Sequence, residues 1–215
     1  MIRRLAAVLA DMDGTLVDSR VVVERHWRLF GERHGLDPEP FIAAGHGRRT
    51  SDVLRELAAH LDAVAEARTI DAGEETDLDG LVAVPGALEL LAALPPSAWA
   101  VVTSAHRSLA LSRLAAVGLP VPEVLVCGDE IAHGKPDPEG YLRGAALLGA
   151  APADCLVLED VPAGIAAGRA AGALVVVAVA TTFPVAALEA ADAVVADLRG
   201  LGDVLEKMGR VLPGA

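Results

Sequence analysis

The sequence predicts an α/β protein built on a mainly parallel sheet, with a helical unit inserted after the first strand. Three observations predict it. Strand-length apolar runs occur at residues 5–10, 98–102, 124–127, 155–158 and 174–179, with a weaker one at 193–196, and none alternates in polarity. Strands that are apolar on both sides belong to a sheet covered on both faces. The segments between the runs carry helical patterns, at residues 86–94, 108–117, 138–148, 163–171 and 201–208, as crossovers between parallel strands require. The interval between the first two runs is far longer than the rest and reads as helical: residues 21–34 with Trp27 and Phe30 on one side, 51–60 with Ser51 as N-cap, and 62–68. Residues 16–81 are therefore expected to form a separate helical cap, and residues 1–15 with 82–215 the sheet domain.

Composition limits what such a protein does. The chain has 215 residues, 53% hydrophobic but only 3% aromatic, so its core must be Ala, Val and Leu packed closely. A formal charge of -12 opposes nucleic acid and anionic membrane surfaces as partners. An anionic small substrate must then be met locally, by a metal ion, a few cations and backbone N–H groups. Cys127 and Cys155 lie in or beside apolar runs with no metal-ligand spacing, which suits a reducing cytoplasm. The start, Met1-Ile2-Arg3-Arg4 before residues 5–10, imitates an export leader, but Asp11 cuts the apolar stretch short. The longest apolar run, residues 173–180, falls well below the ~20 residues of a membrane span.

The residues suited to chemistry stand at the ends of the strands. After the first comes Asp11-Met12-Asp13-Gly14-Thr15-Leu16-Val17-Asp18. Residues two apart in extended chain share a side, so Asp11 and Asp13 present two carboxylates to one volume, and Gly14 lets the chain turn away. The alternative for Asp13-Gly14 is a hairpin turn. After the second strand, Thr103-Ser104-Ala105-His106 offers a hydroxyl and N–H groups for phosphate oxygens, or else Ser104 caps the next helix. After the third comes Gly134-Lys135-Pro136, in a chain whose only lysines are Lys135 and Lys207; an ammonium is a compact point charge where guanidinium is a broad fork. The fourth strand ends in Glu159-Asp160-Val161-Pro162-Ala163-Gly164, where Asp160 offers a carboxylate or a helix cap. Ligands of open α/β sheets bind at the edge where all these residues converge. Gly164, Gly168 and Gly172 each weaken a helix by about 1 kcal/mol relative to Ala, which suggests close approach to a neighbouring backbone.

The ordered set DMDGTLVDS, VVTS, GKP and EDVPAGIAAG resembles the four motifs of haloacid dehalogenase superfamily phosphatases, along almost the whole chain. Within that superfamily it is most similar to bacterial sugar and hexitol phosphatases and to yeast glycerol-phosphate and 2-deoxyglucose-6-phosphate phosphatases. Their cap carries a His-Gly followed closely by a basic residue, similar to His46-Gly47-Arg48-Arg49-Thr50. The resemblance implies a Rossmann-like core with an inserted helical cap, and a small phosphorylated polyol or sugar as substrate. Asp11 is then the nucleophile that becomes an aspartyl phosphate, and Asp13 the general acid and base. Mg2+ is expected on the Asp11 carboxylate, the Asp13 carbonyl and Asp160, with Glu159 behind them. Ser104, Ala105 and Lys135 are expected to bind phosphate, and His46, Gly47 and Arg49 the rest of the substrate. The bland reading of His46, Arg48 and Arg49 is a solvated basic loop. A β-phosphoglucomutase-like mutase shares every core motif, but its cap commonly supplies a lysine and residues 16–81 contain none. A noncatalytic phosphate-binding module is the alternative of another class.

Overall fold

The apolar runs form the expected strands. In the computed structural model, residues 3–214 are described; Met1 and Ile2, which open the leader-like segment, and Ala215 lie outside them. The strands are β1 (Ala7–Ala10), β2 (Trp99–Val102), β3 (Val124–Val126), β4 (Cys155–Glu159), β5 (Val175–Val179) and β6 (Ala193–Val195). They make one six-stranded sheet in the order β3-β2-β1-β4-β5-β6, every pair parallel. β1 is thus central, with Ala10 level with Val101 on one side and Leu158 on the other.

Side chains of period two explain why these runs are apolar throughout. Val8, Ala10, Leu156, Leu158, Val175 and Val177 pack on one face, and Ala7, Leu9, Cys155, Val157, Val176 and Ala178 on the other. Helices cover both. α5 (Ala87–Ala93), α6 (Arg107–Ala116) and α9 (Leu201–Lys207) bury Leu90, Leu114 and Leu205 against the first face. α7 (Glu139–Leu147) and α8 (Pro162–Ala170) bury Tyr141, Ala145 and Ile165 against the second. In α8 a Cβ on Gly168 would lie 2.9 Å from Val157 Cγ1 and one on Gly164 1.9 Å from the Glu159 carboxyl, so the approach is close but meets β4 side chains and not the backbone expected. Gly172 differs: it lies past the helix end at φ +78° with open space around it, so it serves the turn.

Between β1 and β2 stand four helices, α1 (Arg20–His34), α2 (Glu39–Gly45), α3 (Thr50–Leu57) and α4 (Ala63–Thr76). They share a cluster of their own, with Trp27, Phe30, Phe41, Val53, Leu54 and Ile70 buried in it. Three of the chain's six aromatic residues are here, Trp27 stacked on Phe41 at 5.6 Å and edge-on to Phe30 at 5.7 Å. The chain enters and leaves this helical layer through a short antiparallel pair, Val17–Asp18 with Val82–Ala83. No helix among the described residues is long and apolar enough to cross a membrane.

Several local expectations need correction. α3 begins at Thr50, with Arg49 rather than Ser51 at the N-cap; Ser51 Oγ lies 3.3 Å from the guanidinium of Arg55. α4 does not stop at residue 68 but runs on to Thr76, because Gly73 lets it pass the His26 ring of α1, which a Cβ would approach to 2.5 Å. α2 has no counterpart in the sequence reading. Ser104 is not a cap, since α6 starts at Arg107 and His106 Nδ1 accepts from Leu109 N–H at 3.3 Å. Nor is Asp160, because Val161 holds the N-cap position of α8 without a side-chain bond. Asp13-Gly14 is not the turn of an alternating hairpin: the chain coils on itself, with Leu16 and Val17 N–H both donating to Met12 O, and then enters the helical layer.

Candidate active site

Parallel strands end at one edge, and the side chains carried there are those singled out from the sequence. β1 delivers Asp11, buried at 2% exposure, and β4 delivers the equally buried Glu159 and Asp160. Oxygens of these three carboxylates lie within 4.8 Å of one another. Lys135, from the segment between β3 and α7, donates to Asp11 Oδ1 and stands 2.5 Å from Glu159 Oε1. Glu159 also accepts from the Tyr141 hydroxyl at 2.5 Å and from Asp160 N–H at 3.1 Å, so it anchors Lys135 from behind. Thr15 donates to Asp160 Oδ1 at 3.2 Å. Gly14 sits at φ +80°, and a Cβ there would come 1.9 Å from Asp160 Oδ2, so only glycine allows the turn and the carboxylate together.

One ammonium cannot offset three buried carboxylates. Burial, with Glu159 and Asp13 nearby, pushes Asp11 up to about 8 in spite of Lys135. Burial, with Asp11 and Glu159, also raises Asp160 well above the usual carboxylate range. Asp11 Oδ2 and Asp160 Oδ2 are buried and accept no hydrogen bond. Two buried carboxyl oxygens without partners, in a cluster of three acids, are what a hard divalent cation satisfies, so the residues fit a metal such as Mg2+.

Asp13 has different company. It is one-fifth exposed, and its Oδ1 accepts from Ser19 Oγ at 2.7 Å and from Arg113 Nη1 at 2.7 Å. Arg113 rises from α6, only 2% exposed, and its other arm reaches Glu74 of α4 at 2.5 Å. Burial alone would lower the Arg113 pKa, but Asp13 and Glu74 outweigh it and the guanidinium stays charged.

Ser104 and Ala105, the phosphate-loop candidates after β2, line the same cavity as these acids. Ser104 Oγ donates to Gly47 O at 2.8 Å, and Ala105 N–H donates to Thr103 Oγ1 at 3.1 Å. Arg49 reaches from the helical layer to the carbonyls of Ile131 and Ala132, both at 3.2 Å, while pairing with Asp52 at 2.6 Å. A Cβ on Gly134 would lie 2.8 Å from Arg49 Nε, so the glycine before Lys135 leaves Arg49 room. Arg48 instead turns outward to Glu56 at 2.7 Å. Burial lowers the pKa of His46, leaving the ring neutral near pH 7, edge-on to Phe183 at 6.4 Å. A cavity of about 310 Å³ brings Asp11, Asp13, His46, Arg49, Ser104 and Asp160 together, a size suited to a small molecule.

Sequence reasoning did not find Arg113, Glu74 or Tyr141. Their signal was present: position 113 lies on the face of α6 that buries Leu109, Ala110 and Leu114, and position 74 continues the face of Ala67 and Ile70. A charge where helical periodicity calls for a hydrophobe needs a partner. Tyr141 is the only tyrosine in the chain.

The family model for haloacid dehalogenase-like hydrolases matches residues 5–172, which carry every one of these strand ends. The chain belongs to the haloacid dehalogenase-like hydrolases. Hexitol phosphatase A of Escherichia coli is 44% identical to this hydrolase over 178 residues, covering 80% of this chain and 82% of its own. Glycerol-1-phosphate phosphohydrolase 2 of Saccharomyces cerevisiae is 34% identical over 197 residues, covering 84% and 76%. Among solved structures, a hydrolase from Pseudomonas syringae superimposes with a TM-score of 0.85 at 27% identity, covering 94% of this hydrolase and 99% of its own chain.

Proposed function

We propose that this enzyme is a Mg2+-dependent phosphatase that hydrolyses the phosphate monoester of a small hexitol, sugar or glycerol through an aspartyl phosphate on Asp11. What supports the reading is one convergence: Asp11, Asp13, Ser104, Lys135 and Asp160 meet at a single sheet edge, in a chain whose relatives are named phosphatases. Residues 16–81 act as the cap, and the free, buried Cys127 and Cys155 suit a reducing cytoplasm.

An Asp11 carboxylate oxygen attacks phosphorus, forming an Asp11 O–P bond as the bond to the substrate's alkoxide oxygen breaks. Asp13 gives its proton to that oxygen, and the alcohol leaves. The resulting Asp13 carboxylate takes a proton from a water whose oxygen attacks phosphorus, and the Asp11–phosphorus bond breaks to release inorganic phosphate. Lys135 holds Asp11 in position and, with Ser104 and Ala105 N–H turned from their present acceptors onto phosphate, stabilises the charge on the transferring group. Asp11, Asp160 and the Asp13 carbonyl would hold magnesium, which would supply the positive charge that lets an anionic nucleophile meet an anionic ester. His46, Gly47 and Arg49 close over the hydroxyl-bearing part of the substrate and exclude water.

The test is a set of glycerol, hexitol and hexose phosphates incubated with enzyme and magnesium, with products followed by phosphate assay and NMR. Inorganic phosphate and free alcohol should appear in equal amounts. An isomeric phosphate without free phosphate would assign a mutase, and binding without turnover a noncatalytic module; either result overturns the proposal.

A further inference from the structure

The contact between Asp13 and Arg113 is more elaborate than a proton carrier needs in order to fold. Three parts of the fold meet there: Asp13 from the turn after β1, Arg113 from α6, and Glu74 from α4 of the helical layer. Arg113 is 2% exposed and Glu74 7%, so neither charge is relieved by water. Replacing such a buried pair by apolar residues is often neutral or stabilising, so stability alone is a poor reason for it. Its geometry suggests another. Both donors to Asp13 take the same oxygen, Oδ1, and no donor among the described residues takes Oδ2. That arrangement fixes the plane of the carboxyl while leaving one oxygen to exchange a proton. Arg113 is held in turn by Glu74, and the same stretch of α4 is pinned to α6 by Ser108 Oγ on Glu75 Oε2 at 3.0 Å and Ser112 Oγ on Glu75 O at 2.9 Å.

We propose that Arg113 is the positioning residue of Asp13, and that Glu74 ties the alignment of Asp13 to the seat of the helical layer on α6. The proposal rests on the reading of Asp13 as general acid and base. Arg113 touches neither phosphorus nor the leaving oxygen; it acts by holding Asp13 where its free oxygen can reach them, and Glu74 acts one step further back. Loss of either leaves the nucleophile and the phosphate-binding groups in place and misdirects the proton.

The experiment compares kcat/KM for an alkyl phosphate, the best substrate of the screen above, with that for p-nitrophenyl phosphate. This constant reports only steps up to loss of the leaving group. An alkoxide needs the proton from Asp13, whereas nitrophenolate leaves without one. Asp13→Asn should therefore lose about 10²–10⁴-fold on the alkyl ester and far less on the nitrophenyl ester. Arg113→Lys should show the same selectivity, at roughly 10²-fold on the alkyl ester, and Glu74→Gln a smaller selective loss of about tenfold. Added to Asp13→Asn, neither should cost more, since both act through it. Should Arg113→Lys fold poorly by thermal melting, Glu74→Gln, a neutral isostere, carries the same comparison. Equal loss on both substrates, or additive loss in the double variants, would make the pair a structural staple and overturn the proposal alone. Unselective loss in Asp13→Asn would overturn the acid–base reading and the proposal with it.

Discussion

Asp11 and Asp13 lie two positions apart and hold opposite surroundings. Asp11 is buried among acids with Lys135 as its cation, whereas Asp13 faces the cavity, gripped at one oxygen by Ser19 and Arg113. The proposed nucleophile needs a fixed carboxylate, which a bound metal would keep ionised, and the proposed proton carrier needs one that changes state in the reaction. Asp11→Asn should abolish covalent labelling from radioactive substrate altogether, because no other oxygen takes its place. Asp13→Asn should slow turnover about 10²–10⁴-fold while still accepting label from an activated ester. Quenched-flow trapping of acid-stable protein-bound phosphate distinguishes the two, and label retained in Asp11→Asn would sink the assignment.

The helical layer has a core that borrows little from the sheet. Phe30 is fully buried edge-on against Trp27 and Phe41, so Phe30→Ala should cost about 3–5 kcal/mol of the layer's stability. In limited proteolysis the variant should be cut first between residues 20 and 76, and an unchanged pattern would mean that the sheet domain supports the layer after all. The elements differ in how plainly they are written in the sequence. Each sheet strand is an unbroken apolar run because both faces are covered, and that signal survives without tertiary knowledge. The two-residue strands 17–18 and 82–83 have no periodicity to read. α2 begins at Glu39 right after Pro38, and α4 continues through the polar stretch Asp71 to Thr76, where tertiary contact overrides weak local preference. The same division applies to the site. Asp11, Ser104, Lys135 and Asp160 were legible because strand ends announce them, whereas Arg113 and Glu74 sit inside helices whose partners no local pattern reveals.

At the scale of the whole molecule, the three clustered carboxylates make the apo fold less stable than it can be. A ligand bound only by the folded state stabilises it by about 2.7 kcal/mol at a hundred times its dissociation constant. For a chain of this size, saturating magnesium should raise the melting temperature by roughly 5–10 °C, and EDTA should return it. A melting curve indifferent to magnesium would remove the metal from Asp11 and Asp160. The strand order has another effect, on the life of the chain before it is finished. β1 occupies the middle of the sheet, yet one of its neighbours, β4, carries residues 155–159. Asp11 therefore leaves the ribosome long before Lys135 and Asp160 exist to meet it. Half of the pairing of β1 must wait for that late segment, a long-range closure that slows folding. On the proposed mechanism the nascent polypeptide until then holds Asp11 without Lys135 or Asp160, and translation itself keeps the enzyme silent.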